Sequence, residues 1–186
     1  MAKLIYVNNV SLDGYIEDER GDFNLYSHDD EVFEAYTGFI GSVGTFLYGR
    51  RLYETMAPWE TDAALAAQSR LTADFAAAWQ AADKIVYTTT LTAVPTAKTR
   101  LEPAFDTSSV RDLKASAASD LTVGGAHLAA HAFAAGLIDE CRLFVWPSII
   151  GGGKSGLPSG TRTNLELIDE RRFANGVIEL GYRILN

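Results

Sequence analysis

The feature that most restricts this chain is an alternation of segments. Through the first two thirds of its 186 residues strand-like and helix-like stretches take turns, and three strand-like runs close the chain. Residues 3 to 10 are rich in Ile, Tyr and Val and end in "SLDGY", where Asp-Gly signals a turn. From Asp29 to about Phe39, Val32, Phe33, Tyr36 and Phe39/Ile40 recur at three- and four-residue spacing, the stripe of a helix. "GTFLYG" reads as a buried strand, and "RRLYETM" as a short helix stopped near Pro58, since proline disfavours helix in the residue before it. The alanine-rich run Ala63 to Ala82 predicts a packed helix with Leu65, Leu71, Phe75 and Trp79 on or near one face. "KIVYTTT" is the next strand, and Ser108 or Ser109 is placed to cap a helix reaching Lys114. "DLTVGGAHLAAHAF" then runs from a strand through two glycines into a helix, followed by "ECRLFVWPSII", "LELIDERRF" and "VIELGYRIL".

This order predicts the α/β class: a mainly parallel sheet covered on both faces, with the closing strands adding antiparallel edges. A chain of this length is expected to build one core, and neither an internal repeat nor a linker divides residues 1–186.

Sixteen basic against 24 acidic side chains give a net charge of -8, which disfavours nucleic acid or an anionic membrane as the main partner. Any phosphate site has to be a local basic pocket. Cys141 is the only cysteine, so an intramolecular disulfide and a cysteine-built zinc site are both excluded, which suggests a reducing compartment. The apolar run in "MAKLIYVNNV" is too short for a signal segment or a membrane span, so the expected location is the cytoplasm.

Three strands end in small or polar residues: "LYGRR", "VYTTT" and "TVGGAH". In open α/β sheets ligands bind beyond the carboxyl ends of the strands, where helix N-termini offer free N–H groups to anions. Gly124 and Gly125 would allow close backbone approach, Arg50 or Arg51 would supply charge, and the threonine hydroxyls would bond a phosphate. Each feature alone has an ordinary explanation as a turn or a solvated face; their recurrence at successive strand ends points to one cleft. Other phosphate and catalytic motifs fail. Gly-x-Gly-x-x-Gly occurs nowhere, "SIIGGGKS" matches a Walker loop only in its last three residues, and no Gly-x-Ser-x-Gly elbow exists. His127 and His131 stand four apart on a helix, yet no third metal ligand accompanies them, so a solvent-facing pair is expected.

The segments "YVNNVSLDGYI", "LYGRRLYE", "VGGAHLAAHAFAAGLIDECRLFVWPSIIGGG" and "GVIELGYRI" together resemble the dihydrofolate reductases and the C-terminal reductase domain of the riboflavin-biosynthesis deaminase-reductases. The likeness covers nearly the whole chain in order and is closer to the riboflavin branch. It implies a dihydrofolate-reductase-like three-layer α/β/α fold, usually paired as a homodimer, with NADPH across the strand ends. Residue by residue, the resemblance places Gly49, Arg50, Arg51 and Leu52 at the helix start that holds cofactor phosphates. Thr88 and Thr89 fall beside the adenosine 2′-phosphate. Val123, Gly124, Gly125, Ala126, His127 and Leu128 fall on the pyrophosphate loop, with His127 where dihydrofolate reductases often carry arginine. The deaminase partner domain has no counterpart, because its "PCxxC" zinc motif is missing from the sequence. The implied activity is hydride transfer from NADPH to a C=N or C=O bond of a small pterin-like or pyrimidine-like molecule, as in the 5-amino-6-(5-phosphoribosylamino)uracil reductases. The other class open to such a chain is a nucleotide-binding protein without turnover.

Such a reduction needs a proton as well as a hydride. Asp29, at the position matching the acid of dihydrofolate reductases, is one candidate; Asp13, in the loop that should close over the nicotinamide, is the other. Asp29 with Asp30 serves equally well as a favourable charge at a helix start, and Asp13 as a turn-former before Gly14. In "CRLFVWPSII" both faces of the strand are apolar, which predicts a homodimer formed through the C-terminal strands.

Overall fold

The apolar runs become strands because their alternating side chains can be buried on two faces at once, and each helix packs its stripe on one of those faces. β1 (Leu4–Ser11) and the short β2 (Tyr15–Glu17) precede helix α1 (Asp30–Gly41), β3 (Thr45–Gly49), α2 (Arg50–Met56), the single turns α3 (Pro58–Thr61) and α4 (Ala63–Ala66), and α5 (Arg70–Ala81). Then come β4 (Asp83–Tyr87), β5 (Thr99–Glu102), α6 (Thr107–Ser116), β6 (Leu121–Gly124), α7 (Ala126–Ala134) and β7 (Glu140–Trp146). The two-residue β8 (Lys154–Ser155), β9 (Asn164–Arg172) and β10 (Ile178–Leu185) complete the chain. This is a computed structural model, and it describes residues 1–23 and 29–185.

Eight strands form one mixed sheet in the order β5-β4-β3-β6-β1-β7-β10-β9. Neighbours from β5 through β7 are parallel, whereas β10 runs antiparallel to both β7 and β9. One face is covered by α1, α2 and α5, whose Ile40, Tyr53, Phe75 and Trp79 pack with Phe46, Tyr48 and Val86. On the other face Val110 of α6 and Leu128, Ala129 and Ala132 of α7 pack on Leu4, Tyr6, Leu47 and Val123. Among the described residues no helix is long and apolar enough to cross a membrane.

Local chemistry corrects two expected boundaries, while α2 stops at Met56, just before Pro58, as expected. The alanine-rich run is two helices, because Asp62 caps α4 through the Ala64 and Leu65 amides and Ser69 starts α5 with a reciprocal capping box to Thr72. Pro58 opens α3 at its first turn, where its missing N–H costs nothing. α6 is capped by Asp106, which accepts from the Ser109 amide at 2.8 Å; the hydroxyls of Ser108 and Ser109 also donate to it. The contacts from Ser109 and Ser108 pull the Asp106 pKa down to about 2. The closing strand "CRLFVW" is covered fully on one face only. β7 is flanked by β1 and β10, and Phe144 and Trp146 pack with Val32 and Phe173, whereas on the other face Cys141 is buried but Leu143 and Val145 are half-buried and Pro147 is exposed.

Candidate active site

Unequal strand lengths open a cleft at the carboxyl edge of the sheet. The register of β1 with β6 ends at Tyr6 opposite Val123, but β1 continues beside β7 until Ser11 meets Trp146. With Val7 level with Gly124, the last residue of β6, Asn8 to Ser11 overhang its end by roughly 13 Å at strand rise. Over this step lies a cleft of about 1280 Å³ that runs from the end of β4 to β7.

Three strand ends build one half. Gly49, Arg50, Arg51 and Leu52 line it from the start of α2, Thr88 and Thr89 from beyond β4, and Gly124, Gly125, His127 and Leu128 from the β6–α7 junction. Val123 and Ala126 stand behind the lining: Val123 is buried in the core, and Ala126 is the buried first residue of α7. Arg50 is already engaged, its Nε 2.8 Å from Glu54 and its NH1 donating to Thr90 Oγ1 at 2.9 Å. Arg51 is exposed and its guanidinium has no ion pair among the described residues. Below them Tyr87 packs on Phe105 and His131 on both Phe105 and His127. Burial, foremost, holds the Tyr87 phenol up at about 12, so it stays neutral.

The two glycines do different things. A Cβ on Gly124 would stand 2.4 Å from Leu52 Cδ2 and 3.1 Å from Tyr48 Cε1, so this glycine lets α2 close against β6. Gly125 has φ of 88° and a Cβ there would meet no atom within 4 Å. It provides both a backbone conformation that other residues avoid and open space at the first turn of α7, where free N–H groups favour an anion.

The other half is built by β1, β7, α1 and the small β2–β8 sheet. Asp29 lines it as the N-cap of α1, its Oδ1 accepting from the Val32 amide at 3.0 Å. Phe33 and Tyr36, one turn apart, stack on Phe75 with centroids 5.2 and 6.2 Å away and give a flat apolar wall. Burial raises the Tyr36 phenol to about 12. Trp146 donates to Asn9 Oδ1 at 2.9 Å, which fixes the amide on the cleft floor. Asn8 donates to the Tyr6 hydroxyl, which in turn donates to the Gly156 carbonyl.

The structure separates the two candidate acids. Asp13 does not line the cleft. Its carboxylate accepts from Ser11 Oγ at 2.7 Å, Gly151 N at 2.7 Å and Ile150 N at 3.1 Å, and so ties the loop after β1 to the glycine loop after β7. These bonds, the serine hydroxyl's first, lower its pKa to about 2 and commit the carboxylate to holding the two loops together. The same two loops are joined by β2–β8 pairing and by a Lys154–Glu17 ion pair at 3.4 Å on the cleft wall.

Sequence reasoning missed Glu17, Lys154, Tyr87 and Phe105, because β2 and β8 are too short for periodicity and Phe105 sits in a loop. The polar pair Asn8 and Asn9 inside a buried strand was the legible signal for the cleft floor. The arrangement can take an elongated ligand whose anionic part meets Arg50, Arg51 and the threonine hydroxyls, with a planar ring against the aromatic wall beside one carboxyl group.

Comparison with known proteins agrees with this architecture. An uncharacterized Bacillus subtilis (strain 168) protein, YyaP, is 26% identical over 185 residues, covering 93% of this chain and 90% of its own. A provisionally assigned riboflavin biosynthesis protein of Shewanella sp. PV-4 superposes with a TM-score of 0.75 at 20% identity over 100% of both chains. The Thermotoga maritima diaminohydroxyphosphoribosylaminopyrimidine deaminase/5-amino-6-(5-phosphoribosylamino)uracil reductase matches with a TM-score of 0.67 at 16% identity. There the likeness covers 99% of this chain but 57% of the bifunctional protein. The fold is thus that of the dihydrofolate-reductase-like reductase domains. With the family match running over residues 2–178, the chain belongs to the RibD C-terminal domain family.

Proposed function

We propose that this protein is an NADPH-dependent reductase of a small pterin-like or pyrimidine-like molecule, working as a homodimer. Family membership supports an oxidoreductase in general. The observation that carries the finer reading is the division of the cleft. Arg50, Arg51, Thr88, Thr89 and Gly125 line one half of it, and Phe33, Tyr36 and Asp29 line the other.

The residues fit the cofactor. Gly125 leaves empty the space that a Cβ would fill, the start of α7 offers backbone N–H groups, and Arg51 brings an unpaired positive charge. Bound there, NADPH supplies the hydride. Arg50, Arg51 and the threonine hydroxyls would hold its phosphates, and Phe33 and Tyr36 would orient the acceptor ring. With Oδ1 fixed by the Val32 amide, Asp29 has Oδ2 to hold the proton that the acceptor nitrogen or oxygen takes.

Steady-state oxidation of NADPH in the presence of a panel of pterins and ribosyl- or ribityl-aminopyrimidines tests this. Substrate-dependent oxidation by at least one compound is expected. NADPH binding without oxidation by any of them would make the protein a nucleotide-binding member of the fold.

A further inference from the structure

The charges lining the cleft are not evenly spread. Arg50, Arg51, His127 and His131 all lie on the half built by α2, α7 and the end of β4. On the half built by β1, β2, β7, β8 and α1, the charged lining groups among the described residues are Glu17, Asp29 and Lys154. Lys154 is the sole cation of that set, and it is committed to Glu17 at 3.4 Å, across the rung where β2 pairs with β8. Both side chains are partly screened from solvent, at 37% and 27% exposure, so their fields act within the cleft. Two carboxylates against one ammonium leave this half with a formal excess of negative charge. The other described lining residues of this half are uncharged, apolar or aromatic apart from the Asn8 and Asn9 amides.

We infer that the Glu17–Lys154 pair is a specificity element that excludes phosphorylated substrates, so that the physiological substrate is a phosphate-free heterocycle, neutral or cationic. This rests on the reductase reading only in assigning this half of the cleft to the substrate. A phosphate monoester carries a charge of roughly -1.5 to -2 at neutral pH and needs cationic or N–H partners when it leaves water. Here it would meet Glu17 and Asp29, and Lys154 could serve it only by leaving Glu17 uncompensated. The Thermotoga protein is named for a phosphoribosylamino substrate; the charges here select the corresponding compound without its phosphate.

The test is titration calorimetry of the protein, with and without NADPH, using 5-amino-6-(5-phosphoribosylamino)uracil and its dephosphorylated counterpart as probes. The dephosphorylated compound is expected to bind about tenfold or more tightly than the phosphate ester, the order of effect that one uncompensated charge produces in a partly screened cleft. Glu17→Gln should narrow the ratio to about threefold or less, because it frees Lys154 for the phosphate, whereas Lys154→Gln should not narrow it. If the pair were only a rung of the β2–β8 sheet, both variants would weaken both compounds alike. Equal or tighter binding of the phosphate ester, a ratio unmoved by Glu17→Gln, or binding of neither compound overturns the inference. The heat of NADPH binding is read separately, so failure of the cofactor reading leaves the ratio interpretable.

Discussion

Leu52 Cδ2 lies 2.4 Å from where a Cβ on Gly124 would stand, so a side chain at residue 124 would displace the Leu52 side chain that packs from the first turn of α2, with the Tyr48 ring at 3.1 Å limiting the room. Gly124→Ala is therefore expected to cost about 1–3 kcal/mol through overpacking and to lower the melting temperature. Gly125→Ala strains a backbone at φ 88° by about 1–3 kcal/mol, and its Cβ also enters the open space at the helix start. It should weaken NADPH binding by roughly tenfold or more, as loss of a phosphate-bonding surface would. If Gly125→Ala lowers the melting temperature but leaves the NADPH dissociation constant unchanged, the glycine is a bend and no cradle.

Asp29→Asn separates capping from chemistry. Asparagine caps a helix about as well as aspartate, so α1 and the melting temperature should be preserved. Turnover should fall by roughly 100-fold or more, the usual worth of a positioned proton donor, with the NADPH dissociation constant unchanged. Unaltered turnover would move proton donation to solvent.

Asp13 makes a prediction about pH. Its folded pKa of about 2 lies below the ordinary 3.8, so the ionised carboxylate favours the folded loops above the ordinary value. That contribution fades as pH falls toward 2. Asp13→Asn should lower the melting temperature at pH 7 and converge with the wild type as both are titrated from about pH 4 to pH 2. A deficit that stays constant across this range would mean that the loop clasp does not depend on the charge.

Much of this fold was legible because its strands are buried on both faces and therefore read as uninterrupted apolar runs, as "GTFLYG" and "DLTV" do. The clustering of Gly49–Leu52, Thr88, Thr89 and Gly124–Leu128 was legible too, since parallel strands deliver their carboxyl ends to one edge. What escaped is what depends on contacts distant in sequence. Residues 13 and 151 meet only once two loops fold together, which turned Asp13 from a candidate acid into a clasp. β5, with Thr99, Arg100 and Glu102 in a four-residue strand, carries almost no apolar signal and exists through its pairing with β4. The cover of Phe144 and Trp146 came from α1 and from segments distant in sequence, which no window of local sequence contains.

The half-buried face of Leu143 and Val145 continues onto β10, where Leu180 and Ile178 pair with them. Leu165 and Leu167 of β9 and Ile178 and Leu185 of β10 are 42%, 48%, 42% and 44% exposed on the last two strands of the sheet. We expect them to be buried against a second copy, because an apolar edge of this kind otherwise invites uncontrolled pairing. Light scattering at micromolar concentration should give a dimer, and Leu167→Lys a monomer with an intact fold by circular dichroism. A wild-type monomer would contradict the assembly.

The most direct measurement follows the hydride itself. When the protein is incubated with NADPH deuterated at the transferring carbon and with a dephosphorylated aminopyrimidine or a pterin, mass spectrometry of the product should find one deuterium at the reduced carbon. Asp29→Asn should slow its appearance. NADPH that binds in the cleft but delivers deuterium to none of these compounds would contradict the account.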